Sequence, residues 1–380
     1  MNVFLQSIFG QIIFSSYILW RGRQALPKKK VWQIPFTLIL LLEIAIFFIG
    51  FLFHDFLSDK IFIPLMLVCN TWYIASMYIS ITLLILSLLH LINKRWAWYP
   101  MFINMYWDKT KIMLFIIIVI GITGLMIFGY RNVHYPTTQH VYITIPKAVE
   151  GRDSLTIVMA NDWHIGDMIR KKDVQRIVQL CNEQNPDMIL IGGDLLDYET
   201  RLAEKDNIEE DLQQLNAPLG VYMILGNHEY RANRYAKLKW IEKTGITLLI
   251  DSVVAPLDST FFLIGRDDYI NHRKRASLKS LMQHVDISKP VFLLDHQPNR
   301  MNETAMNNID LALHGHTHNG QVWPYSLLLH LVYECPYGYY RKGNTQFFVS
   351  AGVGCAGPPY RIGTHSEIVI LHINFDPMLK

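Results

Sequence analysis

The sequence predicts an α/β protein in which N-terminal transmembrane helices are followed by a four-layer α/β/β/α domain. Three observations carry this. Long apolar runs are confined to the first third of the 380 residues, although 51% of the whole chain is hydrophobic. Short apolar bursts alternate with helically spaced segments through the remainder. Several bursts then end in Gly, Asp, Asn or His, residue types that turn a chain and bind ligands. The division expected is residues 1–130 as a multi-pass membrane region of three to four helices, 131–154 as a linker and leading hairpin, and 155–380 as the globular domain.

Runs 31–53, 61–92 and 112–128 are apolar over lengths that match a bilayer core, which takes about 20 helical residues to cross. Run 3–20 is shorter and carries Gln6 and Gln11, so whether it spans is open. No basic stretch precedes it, which argues against a cleaved signal peptide. Arg21, Arg23, Lys28, Lys29 and Lys30 separate the first two runs, and Lys94, Arg95, Lys109 and Lys111 the last two. The loop between, residues 54–60, sets Lys60 against Asp55 and Asp59. Excess Lys and Arg marks cytoplasmic loops, so both basic loops are expected inside. The globular domain is then on the non-cytoplasmic side of the cell membrane. Trp96, Trp98, Tyr99, Tyr106 and Trp107 fit an interfacial aromatic cluster. Glu43 inside the second run is a functional candidate by position, with a hydrogen-bonded residue facing another helix as the plainer reading.

A net charge of +3 and the lack of a basic stripe with interleaved aromatics exclude a nucleic-acid binder. In the globular part, residues 141–145 and 155–159 around the turn Gly151-Arg152-Asp153 read as a hairpin. Val174, Ile177, Val178 and Cys181 have helical spacing over 172–184, with Pro186 closing the helix. Residues 188–191 form a buried strand ending at Gly192-Gly193-Asp194. A helix over 202–215 leads into strand 221–225, which ends at Gly226-Asn227-His228-Glu229. Strand 291–294 ends at Asp295-His296 and strand 309–313 at His314-Gly315-His316, after which 347–350 and 368–373 read as further strands. Ligands at the carboxyl ends of strands are what open α/β sheets provide.

The chemistry follows from residue types. Asp162 and His164 sit two apart in an extended loop and can reach one ion, and His316 and His318 repeat that spacing. Asp194 leaves its strand after two glycines, placed to bridge, and Asn227 offers a neutral oxygen. Hydrolysing a phosphodiester needs a hydroxide at neutral pH and neutralisation of phosphoryl charge. Two divalent ions roughly 3.5–4 Å apart provide both. Oxygen and imidazole donors suit manganese, with iron and zinc as alternatives.

These blocks resemble the calcineurin-like metallophosphoesterase superfamily, with its D-x-H, GD, GNH-[DE], H and GH-x-H order. Ala217-Pro218-Leu219-Gly220-Val221-Tyr222 and His314-Gly315-His316-Thr317-His318-Asn319-Gly320-Gln321-Val322 look like its bacterial membrane-associated phosphodiesterase branch. The resemblance covers 155–373 and not the membrane part. It implies that Asp162, His164 and His318 hold one ion, and Asn227, His296 and His316 the second, with Asp194 bridging. It also implies that His228 is the acid that protonates the leaving oxygen or steadies the phosphoryl group, with Glu229 orienting it. The implied activity is a metal-dependent phosphodiesterase, and the membrane tether suggests an amphiphilic substrate, a lipid or lipid-linked phosphoester at the bilayer surface. The alternatives are a UDP-2,3-diacylglucosamine pyrophosphatase of lipid A synthesis and a non-catalytic module that binds a phospho-ligand. Asn161-Asp162-Trp163-His164 departs from the commoner Ser-Asp-Leu-His, and Trp163 is expected to alter the entrance of the site.

Weaker signals remain. Gly352-x-Gly354-x-x-Gly357 lacks the following helix of a dinucleotide site and is expected to be a tight loop; its neighbour Arg361 is a candidate to contact a substrate phosphate, with surface ion pairing as the equal alternative. The run His272-Arg273-Lys274-Arg275 reads as a solvated face, with anionic headgroups as a second reading. Cys335 and Cys355 lie in loops where a disulfide is open, and oligomeric state is not legible.

Overall fold

The computed structural model describes residues 3–52, 56–256 and 260–378. It divides into two compact units, Met1–Gly129 with Gly357–Tyr360, and Tyr130–Ala356 with Arg361–Lys380. His54 and Asp55, used in the loop-charge argument, lie outside the described residues.

The first unit is helical: α1 (Val3–Ala25), α2 (Lys30–Leu52), α3 (Asp59–Trp96), the short α4 (Met101–Met105) and α5 (Trp107–His134), whose last five residues count to the second unit. Among the described residues three stretches, Lys30–Ile49, Asp59–Trp96 and Trp107–His134, are long and apolar enough to cross a membrane. The helix α1 is more polar, and polar groups on it face its neighbours. Gln11 Nε2 donates to Glu43 at 2.7 Å, and Trp72 Nε1 donates to Ser15 Oγ at 3.3 Å. Glu43 thus meets another helix through a hydrogen bond, in keeping with its plainer reading.

The second unit contains α6 (Lys171–Glu183), α7 (Arg201–Lys205), α8 (Ile208–Leu212), α9 (Arg234–Ile241) and twelve described strands. They are β1 (Thr137–Ile145), β2 (Ser154–Met159), β3 (Met188–Ile191), β4 (Val221–Ile224), β5 (Thr247–Leu249), β6 (Ser252–Val254), β7 (Phe262–Gly265), β8 (Val291–Leu294), β9 (Leu311–His314), β10 (Gly338–Lys342), β11 (Thr345–Val349) and β12 (Glu367–Phe375). Two six-stranded sheets run in the orders β1-β12-β2-β3-β4-β5 and β10-β11-β9-β8-β7-β6.

Period-2 alternation explains the layers. Leu155, Ile157, Met159, Met188 and Leu190 of the first sheet share one buried cluster with Leu263, Phe292, Leu294 and Leu313 of the second. The opposite faces of β2 and β3, Val158, Ile189 and Ile191, pack on Val174, Ile177, Val178 and Cys181 of α6. Beyond the second sheet, Ile264, Leu293 and Phe347 pack with Leu278, Leu281 and Met301. The result is the four-layer α/β/β/α arrangement.

Two expectations need correction. The leading hairpin does not form: β1 pairs parallel with β12, and β12 pairs antiparallel with β2, so the last strand lies between the first two. The run Ile368-Val369-Ile370-Leu371 is apolar on both faces and buried throughout, which suits an inner strand. The single helix over 202–215 is instead α7 and α8, broken at Asn207, whose φ of 49° is left-handed.

Candidate metal centre

Every metal-site residue expected from sequence sits in a loop at or just beyond a strand end. Asp162 and His164 follow β2, Asp194 follows β3, Asn227 follows β4, His296 follows β8, and His316 and His318 follow β9. Among the described residues three overlapping groups bring donor atoms within 4.8 Å of one another: Asp162, His164 and His318; His164, Asp194 and His228; Asp194, His296 and His316. His164 Nε2 lies 3.0 Å from His318 Nε2, and His318 Nε2 lies 3.6 Å from Asp162 Oδ1. His296 Nε2 is 3.2 Å from Asp194 Oδ2 and 3.3 Å from Asn227 Oδ1.

Backbone conformation is part of this convergence. Asp162, His164, Asp194, His316 and His318 all have φ between 50° and 72°, the left-handed region that L-residues avoid. Gly193 has φ 96°, and a Cβ there would stand 2.7 Å from Gly226 N and 2.8 Å from His296 Nδ1. The loops meet this closely only because residue 193 has no side chain.

The donors fit divalent cations. His296 Nδ1 is 2.7 Å from Gly192 O; a carbonyl only accepts, so Nδ1 carries a proton and Nε2 faces Asp194 and Asn227. Burial opposes charge on His296, yet Asp194 outweighs it and holds the imidazole well above the usual histidine range. Burial likewise opposes charge on Asp194, but His296 and His164 prevail and drive its carboxyl well below the usual range. A divalent cation would answer the same negative charge. Burial, together with the neighbouring His164 and Arg361, pushes His318 well below its usual range and keeps it unprotonated.

Glu229 does not orient His228. Its carboxylate is fully buried and accepts the backbone N–H groups of Asp194 at 2.9 Å, Gly226 at 2.8 Å and Leu196 at 3.1 Å. Its oxygens are committed to bracing two ligand loops. The partner of His228 is Asp197, whose Oδ1 is 2.8 Å from His228 Nδ1 and 3.5 Å from His164 Nδ1. Against the upward pull of burial, His164 and His228 hold the Asp197 carboxyl below its usual range. Sequence reading missed Asp197, whose one signal is an acid three residues after Asp194. It also missed Lys237 of α9, which is buried and donates to His228 O at 2.6 Å and Asp197 O at 3.1 Å.

Arg361 differs from expectation too. It is fully buried and donates to the carbonyls of Ala351 at 2.5 Å, Gly354 at 2.8 Å, His365 at 3.1 Å, Gly352 at 3.2 Å and His318 at 3.4 Å. Its Nη2 also lies 3.1 Å from His318 Nδ1. With its donors spent on the loops, it positions His318 rather than meeting a phosphate. Trp163 is buried in the core with α6 and donates to Ala160 O at 2.8 Å, so it does not line the entrance. Arg275 turns inward to Asp295 at 2.7 Å, beside His296, leaving His272, Arg273 and Lys274 exposed. Cys335 and Cys355 are free, buried and in separate clusters.

The family model for calcineurin-like phosphoesterase matches residues 155–320, a stretch that contains all of these metal-site residues. A metallophosphoesterase of Helicobacter pylori strain J99 is 34% identical over 58% of this chain and 60% of its own length. The chain thus spans about three-fifths of that relative. A metallophosphoesterase of Aquifex aeolicus is 30% identical over 60% of this chain and 87% of its own. A Danio rerio protein described as a transmembrane protein with metallophosphoesterase domain is 31% identical over 68% of this chain and 61% of its own. With Asp and His clusters suited to divalent metals, a two-sheet fold and these relatives, the chain belongs to the calcineurin-like metallophosphoesterase family.

Proposed function

We propose that this protein is a membrane-anchored, binuclear metal-dependent phosphodiesterase acting on a lipid or lipid-linked phosphoester. The observation that carries the reading is the overlap of the ligand clusters at Asp194, which sits in two of the three groups. Asp162, His164 and His318 would hold one ion, Asn227, His296 and His316 the other, and Asp194 would be shared. Manganese is the first choice, with iron or zinc also suited. Two such ions, when bound, supply a nucleophile at neutral pH and neutralise phosphoryl charge.

The chain's own groups do the rest. Asp197 engages Nδ1 of His228, which leaves Nε2 as the ring nitrogen for the phosphoester. From there His228 donates a proton to the leaving oxygen or steadies the phosphoryl group, a contribution of about 10²–10⁴-fold. Glu229, Lys237 and Arg361 hold the loops. The lipid character of the substrate rests on the three stretches able to span a membrane, and the loop charges support an active site on the non-cytoplasmic side.

The test is hydrolysis of bis(p-nitrophenyl) phosphate by the detergent-purified chain with Mn²⁺, beside Asn227→Ala, followed by phospholipid and lipid-linked esters in mixed micelles. Metal-dependent release by the wild type alone upholds the diesterase reading. Two bound ions per chain with no turnover of any ester would leave only a binding module.

A further inference from the structure

Residues 319–333 follow directly on His318 and contain no Asp, Glu, Lys or Arg. Within them Trp323, Tyr325, Leu327, Leu328, Leu331 and Val332 are exposed, Leu331 to 82% and Val332 to 73%. Other large apolar residues exposed on the catalytic unit, such as Tyr235, Ile287 and Met306, are scattered singly along the chain, which is ordinary for a protein surface. Six within ten residues are not ordinary, and a patch of this kind marks a site of contact.

The segment is fastened to the metal centre at both ends. Gly320, with φ 77°, would place a Cβ 2.3 Å from Ser326 N, so the helix Tyr325–Leu329 lies directly against the loop of His318. At the far end Thr317 Oγ donates to Pro336 O at 2.6 Å, and the Tyr333 ring stands edge-on to His316 at 6.3 Å. Between these anchors the apolar tip is left facing outward beside the two histidines of the last metal motif.

We propose that this segment is a lip that inserts into the acyl region of a bilayer and delivers a lipid phosphoester to the adjoining centre. The inference rests on the reading of the substrate as lipid-linked, and it goes further by naming the surface that meets the lipid. Two observations select lipid as the occupant. The same chain carries three stretches able to span a membrane, so a bilayer is tethered to the catalytic unit. The lip also lacks the charged residues that would pair with a protein partner or with anionic headgroups, and tyrosine and tryptophan accompany its aliphatic side chains.

The experiment uses the full chain in lipid nanodiscs, with Leu331→Cys carrying an environment-sensitive fluorophore. Tyr235→Cys on α9, where the native side chain is 70% exposed, is the control. Emission at 331 should shift to the blue and be quenched by doxyl-labelled lipid at least about threefold more than at 235, equally in low and high salt. Equal quenching at the two positions, or quenching that depends on protein concentration rather than on lipid, would overturn the proposal; the latter would mean a second copy covers the lip.

A second arm reads turnover by Leu331→Glu/Val332→Glu. Its kcat/KM on a long-chain phosphodiester should fall at least about tenfold, since two apolar contacts are lost and charge is added. On bis(p-nitrophenyl) phosphate it should stay within about twofold. A parallel fall on both esters would also overturn the lip, marking the segment as a support of the metal loops. If no lipid ester is turned over, the substrate reading fails on its own, and quenching at residue 331 decides insertion.

Discussion

Replacing Asp197 by Asn removes one negative charge while keeping the size and planarity of the side chain. The carboxylate lies 2.8 Å from His228 Nδ1 and 3.5 Å from His164 Nδ1. A hydrogen bond to a charged group contributes about 1.5–3 kcal/mol against about 0.5–1.5 for a neutral one. The difference at His228 is therefore about 1–1.5 kcal/mol, and the longer contact to His164 adds less. The Asp197 side chain is 29% exposed, so solvent trims both contributions. A loss of about 1–2 kcal/mol in transition-state stabilisation corresponds to roughly 5–30-fold in kcat, which overlaps the lower part of the roughly 10–100-fold range typical for partners of metal-site histidines. Because the Asp197 carboxyl is held below its usual range, its stabilising charge is present above the unfolded carboxyl value of about 3.9 and lost only as pH falls through the folded one. The deficit should therefore be flat across neutral pH. The assay is steady-state hydrolysis of bis(p-nitrophenyl) phosphate at saturating Mn²⁺, with metal content measured on the same samples. A variant with full metal and kcat within about twofold of wild type would refute the coupling of Asp197 to His228.

Glu229→Ala should strip the acceptor from three backbone N–H groups, lowering thermal stability and activity together; an inactive variant with an unchanged Tm would mean that Glu229 acts on the substrate instead. Arg361→Ala should leave several buried carbonyls unpaired and cost about 3 kcal/mol, a fall in Tm of roughly 6–12 °C. A raised KM with an unchanged Tm would restore the phosphate-binding role for Arg361. His314 is buried, its Nδ1 donates to Asp295 O at 2.5 Å, and burial holds it below the usual histidine range. The unfolded chain therefore binds more protons below about pH 6.5, and this residue subtracts stability as pH falls past that value, by up to about 1.4 kcal/mol per pH unit. Denaturant unfolding compared between neutral and mildly acidic buffer should show a shallower acid loss for His314→Phe, and an identical loss would contradict it.

The residues that converge at the candidate centre were legible because their signals are local. Each block combines donors with Gly or a left-handed residue at a strand end, and the strand itself is a short apolar burst, so Asp162, Asp194, Asn227, His296, His316 and His318 stand out without any knowledge of tertiary structure. What was not legible is long-range. Nothing around Lys237 distinguishes it from its solvated neighbours Lys239 and Lys243, yet its amine is buried under the His228 loop. Arg361 looks like a loop cation available for a phosphate until its carbonyl partners are seen, one of which, His318, belongs to a different loop, the one after β9. Glu229 and Asp197 exchange roles for the same reason: a carboxylate next to His228 in sequence is aimed away from it, and one 31 residues earlier is aimed toward it. The short turn at 151–153 suggested a hairpin, but strand pairing is decided by which strand is apolar on both faces, and that is β12.

The place of β12 has a consequence for how the protein is made. Its nine residues pair along all of β1, while β2 bonds to its other edge. Thr137 meets Glu367 and Ile145 meets Phe375, partners from opposite ends of the catalytic unit. Until residue 375 has been synthesised, β1 has no neighbour and β2 lacks one of its two, so the first sheet can be assembled only from β2 to β5. Contacts so distant in sequence form late and slowly. The first sheet is thus kept from closing early in synthesis, and β2, whose end carries the loop of Asp162 and His164, gains its second neighbour only after the last strand has slid into place.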